Sequence, residues 1–238
     1  MGDSIGCDGG SLAGANYAVH FRDNYAGIAK SIGHALSRLH APLPSESMLK
    51  SCVGPPLRES FARLLDTRDA ARIESAIVHY RERFADIGWR ENILYDGVAE
   101  MLAALSLTGQ RLFVCTAKPE IFARRILTHF GIASCFDGVY GADLDGAFDN
   151  KALLLRHALG RERLSGGDAI MIGDHRHDVR AAHENGMPAI GVLWGYGTPE
   201  ELAGADALAR SPRELERLLA GDITLGATER RVQSSGYL

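Results

Sequence analysis

From residue 97 to residue 220 the chain alternates short apolar runs with amphipathic helical stretches, and this alternation decides its fold class. The runs are "RLFVCT" (111–116), "FDGVYGA" (136–142), "DAIMIG" (168–173), "PAIGVLW" (188–194) and "DALAR" (206–210). Helical spacing fills the gaps, over 97–107, 120–130, 150–159, 177–185 and 212–220. In the first of these, Val98, Met101, Leu102 and Leu105 fall on one face. Strands that read as nearly continuous apolar runs, each followed by a helix, predict a parallel sheet covered on both faces.

Residues 25–90 carry a different pattern. Ile28, Ile32, Leu36 and Leu39 mark a helix over 25–40, and Ile73, Ile77, Tyr80, Phe84 and Ile87 mark a second over 69–88. "APLPSES" (41–47) breaks the first; "CVGPPLRES" (52–60) is a turn-rich link into a short helix, "LRESFARLL". The expected layout is a doubly wound, Rossmann-like α/β core from residues 15–24 plus 91–222. An all-helical segment, 25–90, is inserted in it, and 1–14 and 223–238 are expected to be loose termini.

Composition narrows the function classes. An apolar fraction of 46% in 238 residues supports a real core. A net charge of −4 with scattered Lys and Arg gives no electrostatic reason to expect nucleic acid or an anionic membrane as partner. The four cysteines, Cys7, Cys52, Cys115 and Cys135, are too irregularly spaced for a disulfide framework or a zinc ribbon. No apolar stretch approaches the roughly 18 residues of a membrane helix, and the first 21 residues, lacking Lys and Arg, do not read as a signal peptide. A cytoplasmic setting is expected; nothing in the sequence sets the oligomeric state.

Ligands of open α/β sheets bind outside the carboxyl ends of the strands, and three features fall there. Thr116 ends a strand in "VCTAKPE", and Pro119 stands where a helix begins. A hydroxyl and free backbone N–H groups at that point suit an anion, though the same turn also serves as a plain helix cap. Lys151 lies in the first turn of a helix, where the macrodipole disfavours a cation. Either a nearby negative group explains it or it is a solvated surface lysine. Asp174 ends the run "MIG", and Asp178 follows four residues on, at the start of the next helix. A carboxylate so placed suits Mg²⁺, which takes one or two carboxylates plus phosphate oxygens. His175 and His177 read as solvent-facing, since hard Mg²⁺ prefers oxygen.

Together, Thr116, Lys151 and the Asp174/Asp178 pair resemble the last three motifs of the haloacid dehalogenase (HAD) superfamily, over roughly residues 25–220. "GDHRHDV" followed by "GVLWGYGTPEEL" is similar to the branch holding phosphoglycolate phosphatases and bacterial 5′-nucleotidases, as are "VGPPLRESF", "YRERF" and "LYDGVAEML". The resemblance implies a phosphomonoester hydrolase of small phosphorylated metabolites with Mg²⁺ as cofactor and residues 25–90 as a cap. It implies that Thr116, Ala117 and Lys151 hold the phosphoryl group, that Asp174 binds the metal, and that Asp178 orients Lys151 or the metal's waters. Substrate choice would rest on the cap, where Gly54, Pro55, Pro56 and Arg58 are the candidates to face the pocket; Arg58 reads either as a bidentate partner for a substrate carboxylate or phosphate or, more commonly, as a surface residue.

One motif of the family is not found. Its first strand should end in Asp-x-Asp-Gly-Thr, whose first Asp attacks phosphorus and whose second is the general acid and base. The sequence before the cap is "NYAVHFRDNYAGIAKSI". An ungapped match puts the nucleophile on Asn16 and the acid on Ala18, which have neither function. A gapped match treats "YAVHF" as the strand and leaves about six residues absent between Phe21 and Arg22. "CDGGSL" (7–12) has no apolar strand before it and lies too far from the cap. Asp23 is the only carboxylate left nearby, read either as a helix N-cap or as a substitute nucleophile. Three readings follow: an active phosphatase, a phosphate- or nucleotide-binding pseudophosphatase with a regulatory role, or a damaged gene product with active relatives.

Overall fold

The computed structural model describes residues 16–19, 22–143, 148 and 150–221; the expected loose termini and "CDGGSL" lie outside them. Strand β1 (Asn16–Val19) is followed by β2 (Arg22–Asp23) and by helices α1 (Tyr25–Arg38), α2 (Glu46–Lys50), α3 (Leu57–Leu64) and α4 (Ala70–Asp86). Next come β3 (Ile93–Leu94), α5 (Val98–Ser106), β4 (Leu112–Pro119), α6 (Glu120–His129), β5 (Gly138–Ala142), α7 (Lys151–Glu162) and β6 (Ala169–Gly173). Helix α8 (Arg176–Glu184), β7 (Ala189–Val192), β8 (Ala207–Ala209) and α9 (Pro212–Leu219) complete the order.

Six strands form one parallel sheet in the order β5-β4-β1-β6-β7-β8. The two-residue side-chain period of a strand explains how it is covered. Along β6, Ile170 and Ile172 join a cluster with Val98 and Leu102 of α5 and Leu215 of α9. Ala169 and Met171 point the other way, to Leu154 and Leu155 of α7 and Val179 of α8. The expected α/β core with helices on both faces is thus the observed one.

Helices α1, α3 and α4 build a separate apolar cluster around Ile32, Leu36, Phe61 and Ile77, which meets the core through Phe122 of α6. Tyr80 stacks on Phe84 at 5.4 Å, and Phe84 meets Phe122 edge-on at 5.3 Å. The chain enters and leaves this helical unit through a ribbon the sequence did not suggest: β2 pairs antiparallel with β3, Asp23 opposite Ile93. Two residues a side carry too little pattern to be read in advance. Helix α2 was likewise unforeseen; Ser45 starts it, its side chain accepting from the Met48 N–H at 3.3 Å.

The strand order places the site. From β1 the chain goes to β4 on one side and later returns to β6 on the other, so the crevice at the carboxyl end of β1 is the switch point where ligands bind in such sheets.

Candidate active site

Thr116 and Asp174 stand on the two sides of that crevice, on β4 and just past β6. Asp174 is 1% exposed, and its Oδ2 accepts the Tyr196 backbone N–H at 2.9 Å. Lys151, at the first position of α7, reaches back into the edge: its Nζ lies 2.8 Å from Asp178 Oδ1 and donates to the Cys115 carbonyl at 2.8 Å. These partners are the negative groups that explain a cation in a first helical turn. Burial alone pushes the Lys151 pKa down, but Asp178, with smaller help from Cys115 and Asp174, outweighs it and the net shift is upward. Asp178 also starts α8, its Oδ2 accepting the His175 N–H at 3.2 Å, so it caps the helix and holds the lysine at once. Burial raises the pKa of the neighbouring Cys115 thiol to about 11, which keeps it protonated and unreactive.

Thr116 does not end its strand as expected: β4 runs on to Pro119 through a bulge, where the β4–β5 register shifts between Thr116 and Pro119, Thr116 Oγ1 accepts the Lys118 N–H at 3.2 Å, and Ala117 is exposed. Pro119 is the N-cap residue of α6. A hydroxyl, an exposed bulge and a held ammonium therefore lie along the edge that also carries a buried carboxylate. As a donor set, Asp174 fits Mg²⁺ held through one carboxylate with water and phosphate oxygens completing its shell. Among the described residues no group of three or more His, Cys, Asp and Glu is placed so that it could hold a metal ion.

The register of β1 bears on the ungapped match, which residue chemistry already disfavoured, and the expectations for Asp23 and His175 need correction. Asn16 pairs with Ala169 and Ala18 with Met171, five and three residues before Asp174. At about 3.3 Å per residue those levels lie roughly 16 and 10 Å below the edge, so the ungapped match puts its nucleophile and acid inside the sheet. Asp23 is not the N-cap: its backbone is still extended against Ile93, and Asn24 precedes α1. His177 is exposed as expected, but His175 is half-buried, its Nε2 fully covered and without a hydrogen-bond partner among the described residues. The cover is the cap loop. A Cβ on Gly54, whose φ is +103°, would stand 2.7 Å from that nitrogen. Pro55 and Pro56 are half-buried beside it.

Arg58 is exposed and ion-paired with Glu74 of α4, so its charge is engaged within the cap rather than aimed at the crevice. Arg58→Ala is expected to change phosphate affinity less than 2-fold and stability by about 0–1 kcal/mol, as for exposed ion pairs; calorimetry and urea melts check both.

Two cap-facing residues escaped the sequence reading. Lys118 Nζ sits 4.5 Å over the Phe84 ring of α4. Tyr196 packs into the cap cluster, and its hydroxyl accepts the Tyr25 N–H at 3.2 Å. The aromatic between two glycines in "WGYG" was the available signal for the second.

A parallel α/β sheet with a helical cap, and Thr, Lys and paired Asp at its carboxyl edge, defines a class of hydrolase. The chain belongs to that class: residues 22–192 match the haloacid dehalogenase-like hydrolase family. It is 42% identical to a 5′-nucleotidase of Pseudomonas aeruginosa over 180 residues, 76% of this chain and 81% of that protein. Against the tyrosine-protein kinase PtkA of Mycobacterium tuberculosis it is 41% identical over 175 residues, 74% of this chain but 59% of that protein. A phosphoglycolate phosphatase of Agrobacterium fabrum is 32% identical over 182 residues, 73% of this chain and 76% of that one. The crystal structure of a predicted phosphatase from Clostridium acetobutylicum superposes with a TM-score of 0.81 at 37% identity, covering 87% of this chain and 98% of that one. Among the described residues no helix is long and apolar enough to cross a membrane.

Proposed function

We propose that this chain binds Mg²⁺ and the phosphoryl group of a small phosphorylated metabolite, a nucleoside 5′-monophosphate or phosphoglycolate, and that it turns such esters over at or near background. The observation that carries the reading is the edge itself. Lys151 is held by Asp178 at 2.8 Å beside Thr116, and buried Asp174 stands across the crevice. Between them runs a strand whose segment, 15–24, contains no Asp-x-Asp.

In this reading Lys151 offsets the charge of the phosphoryl oxygens, and the Thr116 hydroxyl and Ala117 N–H donate to them. Asp178 keeps the ammonium aimed and charged. Asp174 would hold Mg²⁺, which when bound supplies further positive charge to the same oxygens. The helical unit 25–90 acts as the cap, and Gly54 with Pro55 and Pro56 forms the part that closes beside Asp174. No carboxylate is assigned to attack phosphorus. What remains is binding, which favours a phosphate- or nucleotide-binding pseudophosphatase over an active enzyme.

Calorimetry tests the reading. With MgCl₂ present, inorganic phosphate and AMP are expected to bind the parent chain, and Asp174→Ala to lose at least 10-fold in affinity. Equal binding by the two proteins would remove the basis for this site.

A further inference from the structure

The loop after β7 reads Trp194-Gly195-Tyr196-Gly197, and its glycines are there because Asp174 is there. A Cβ on Gly195 would stand 2.3 Å from both Cβ and Oδ2 of Asp174, and one on Gly197 would stand 2.0 Å from the Asp174 carbonyl oxygen. Only a backbone without side chains on either side of Tyr196 approaches so closely. The result is that the Tyr196 N–H reaches Asp174 Oδ2 at 2.9 Å, fixing one oxygen of that carboxylate.

The same residue faces the cap. Its ring packs with Tyr25 against the cap cluster, and its hydroxyl accepts the Tyr25 N–H at 3.2 Å. The first N–H groups of a helix have no partner within the helix. Asn24, the N-cap of α1, makes no side-chain capping bond, so the tyrosine from the core serves this end of the helix. One residue thus touches the candidate metal carboxylate with its backbone and the cap's entry helix with its side chain.

We propose that Tyr196 is a positioning residue that couples the seating of the cap to the orientation of the Asp174 carboxylate. The inference rests on the reading of Asp174 as the metal-facing carboxylate. When α1 is seated, the hydroxyl is held and the 195–197 loop is pinned against Asp174. When α1 moves away, the loop loses that anchor and the carboxylate loses a fixed donor. Such coupling is reciprocal: whatever loosens Asp174 must also loosen α1.

That reciprocity gives a test independent of metal. Amide hydrogen exchange over residues 25–38 would be measured on the full chain for the parent, Asp174→Ala, Tyr196→Phe and the double variant. Asp174→Ala is expected to speed exchange there about 5- to 10-fold, the size of one lost hydrogen bond. In the Tyr196→Phe background, where exchange is already fast, it is expected to add less than 2-fold. An unchanged rate in Asp174→Ala, or the same acceleration in both backgrounds, would overturn the coupling. Gly195→Ala, which pushes the loop off Asp174 from its other side, carries the same comparison if Asp174→Ala loses its cooperative melt. Calorimetry with MgCl₂ on the parent judges the metal reading separately. No binding there would overturn that reading, while the exchange cycle still decides whether Tyr196 links the two groups.

Discussion

Phosphate release from nucleoside monophosphates and phosphoglycolate is expected to stay at background for this chain. Inserting Asp-Leu-Asp-Gly-Thr-Leu between Phe21 and Arg22 is expected to raise it by on the order of 10⁶-fold, the scale set by removing a covalent nucleophile from a serine protease. In-line attack on phosphorus needs a carboxylate oxygen at the carboxyl end of β1. Asn16 and Ala18 are paired with Ala169 and Met171, well below Asp174. Asp23 lies in the ribbon opposite Ile93, and the position two residues on is Tyr25, which gives no acid partner. On the proposed reading, general acid help to the leaving group, typically worth about 10²–10⁴-fold, is expected to be missing as well. The insertion supplies both carboxylates just after residues 20 and 21, which lie outside the described residues. It leaves Thr116, Lys151 and Asp174 untouched. The assay is phosphate release with Mg²⁺ for both versions. Free turnover by the unmodified chain that disappears in Asp23→Asn would identify Asp23 as the nucleophile and refute the gapped match.

Lys151→Met is the substitution expected to do most damage to the fold and to phosphate binding together. The lysine side chain is 18% exposed and its partner Asp178 10%, so the variant leaves a nearly buried carboxylate without its counter-charge. Breaking such a pair costs about 3–5 kcal/mol, read as a lower urea midpoint at unchanged slope. Removing both charges, Lys151→Met with Asp178→Asn, should recover much of that loss while phosphate binding stays absent. A single variant as stable as the parent would show the pair to be a surface contact. The pH dependence has a definite sign. The folded pKa of Lys151 is raised, so the pair's contribution is complete below the unfolded lysine value of about 10.4 and is lost as pH rises through the folded value. Parent and Lys151→Met should therefore differ equally at pH 7 and 9 and converge only in stronger alkali.

The apolar runs at 111–116, 168–173 and 188–194 announced β4, β6 and β7 to within about three residues, because a strand buried on both faces has almost no polar positions. The helices over 25–40 and 69–88 were equally legible, since their apolar faces repeat over several turns. Thr116, Lys151 and Asp174 were visible as candidates because strand ends and helix starts are themselves visible in sequence. Their arrangement was not legible from pattern or spacing; that Asp178 orients Lys151 or the metal's waters was implied by the family resemblance alone. The Lys151–Asp178 pair spans two helices, and only the packing of α7 beside α8 brings the ammonium to the carboxylate.

What the sequence determined by itself was local and periodic: an alternating α/β core, a helical insert, and polar groups placed where strands stop. What only the tertiary structure decided depends on residues far apart in the chain. The register of β1 against β6 put Asn16 and Ala18 below the edge. The cap loop covered His175, which a sequence reading leaves in solvent. Tyr25 and Tyr196, 171 residues apart, became partners because the loop after β7 and the start of α1 meet at one place. No short-range pattern encodes such contacts, since the chain between them sets the distance only after every strand has found its neighbour.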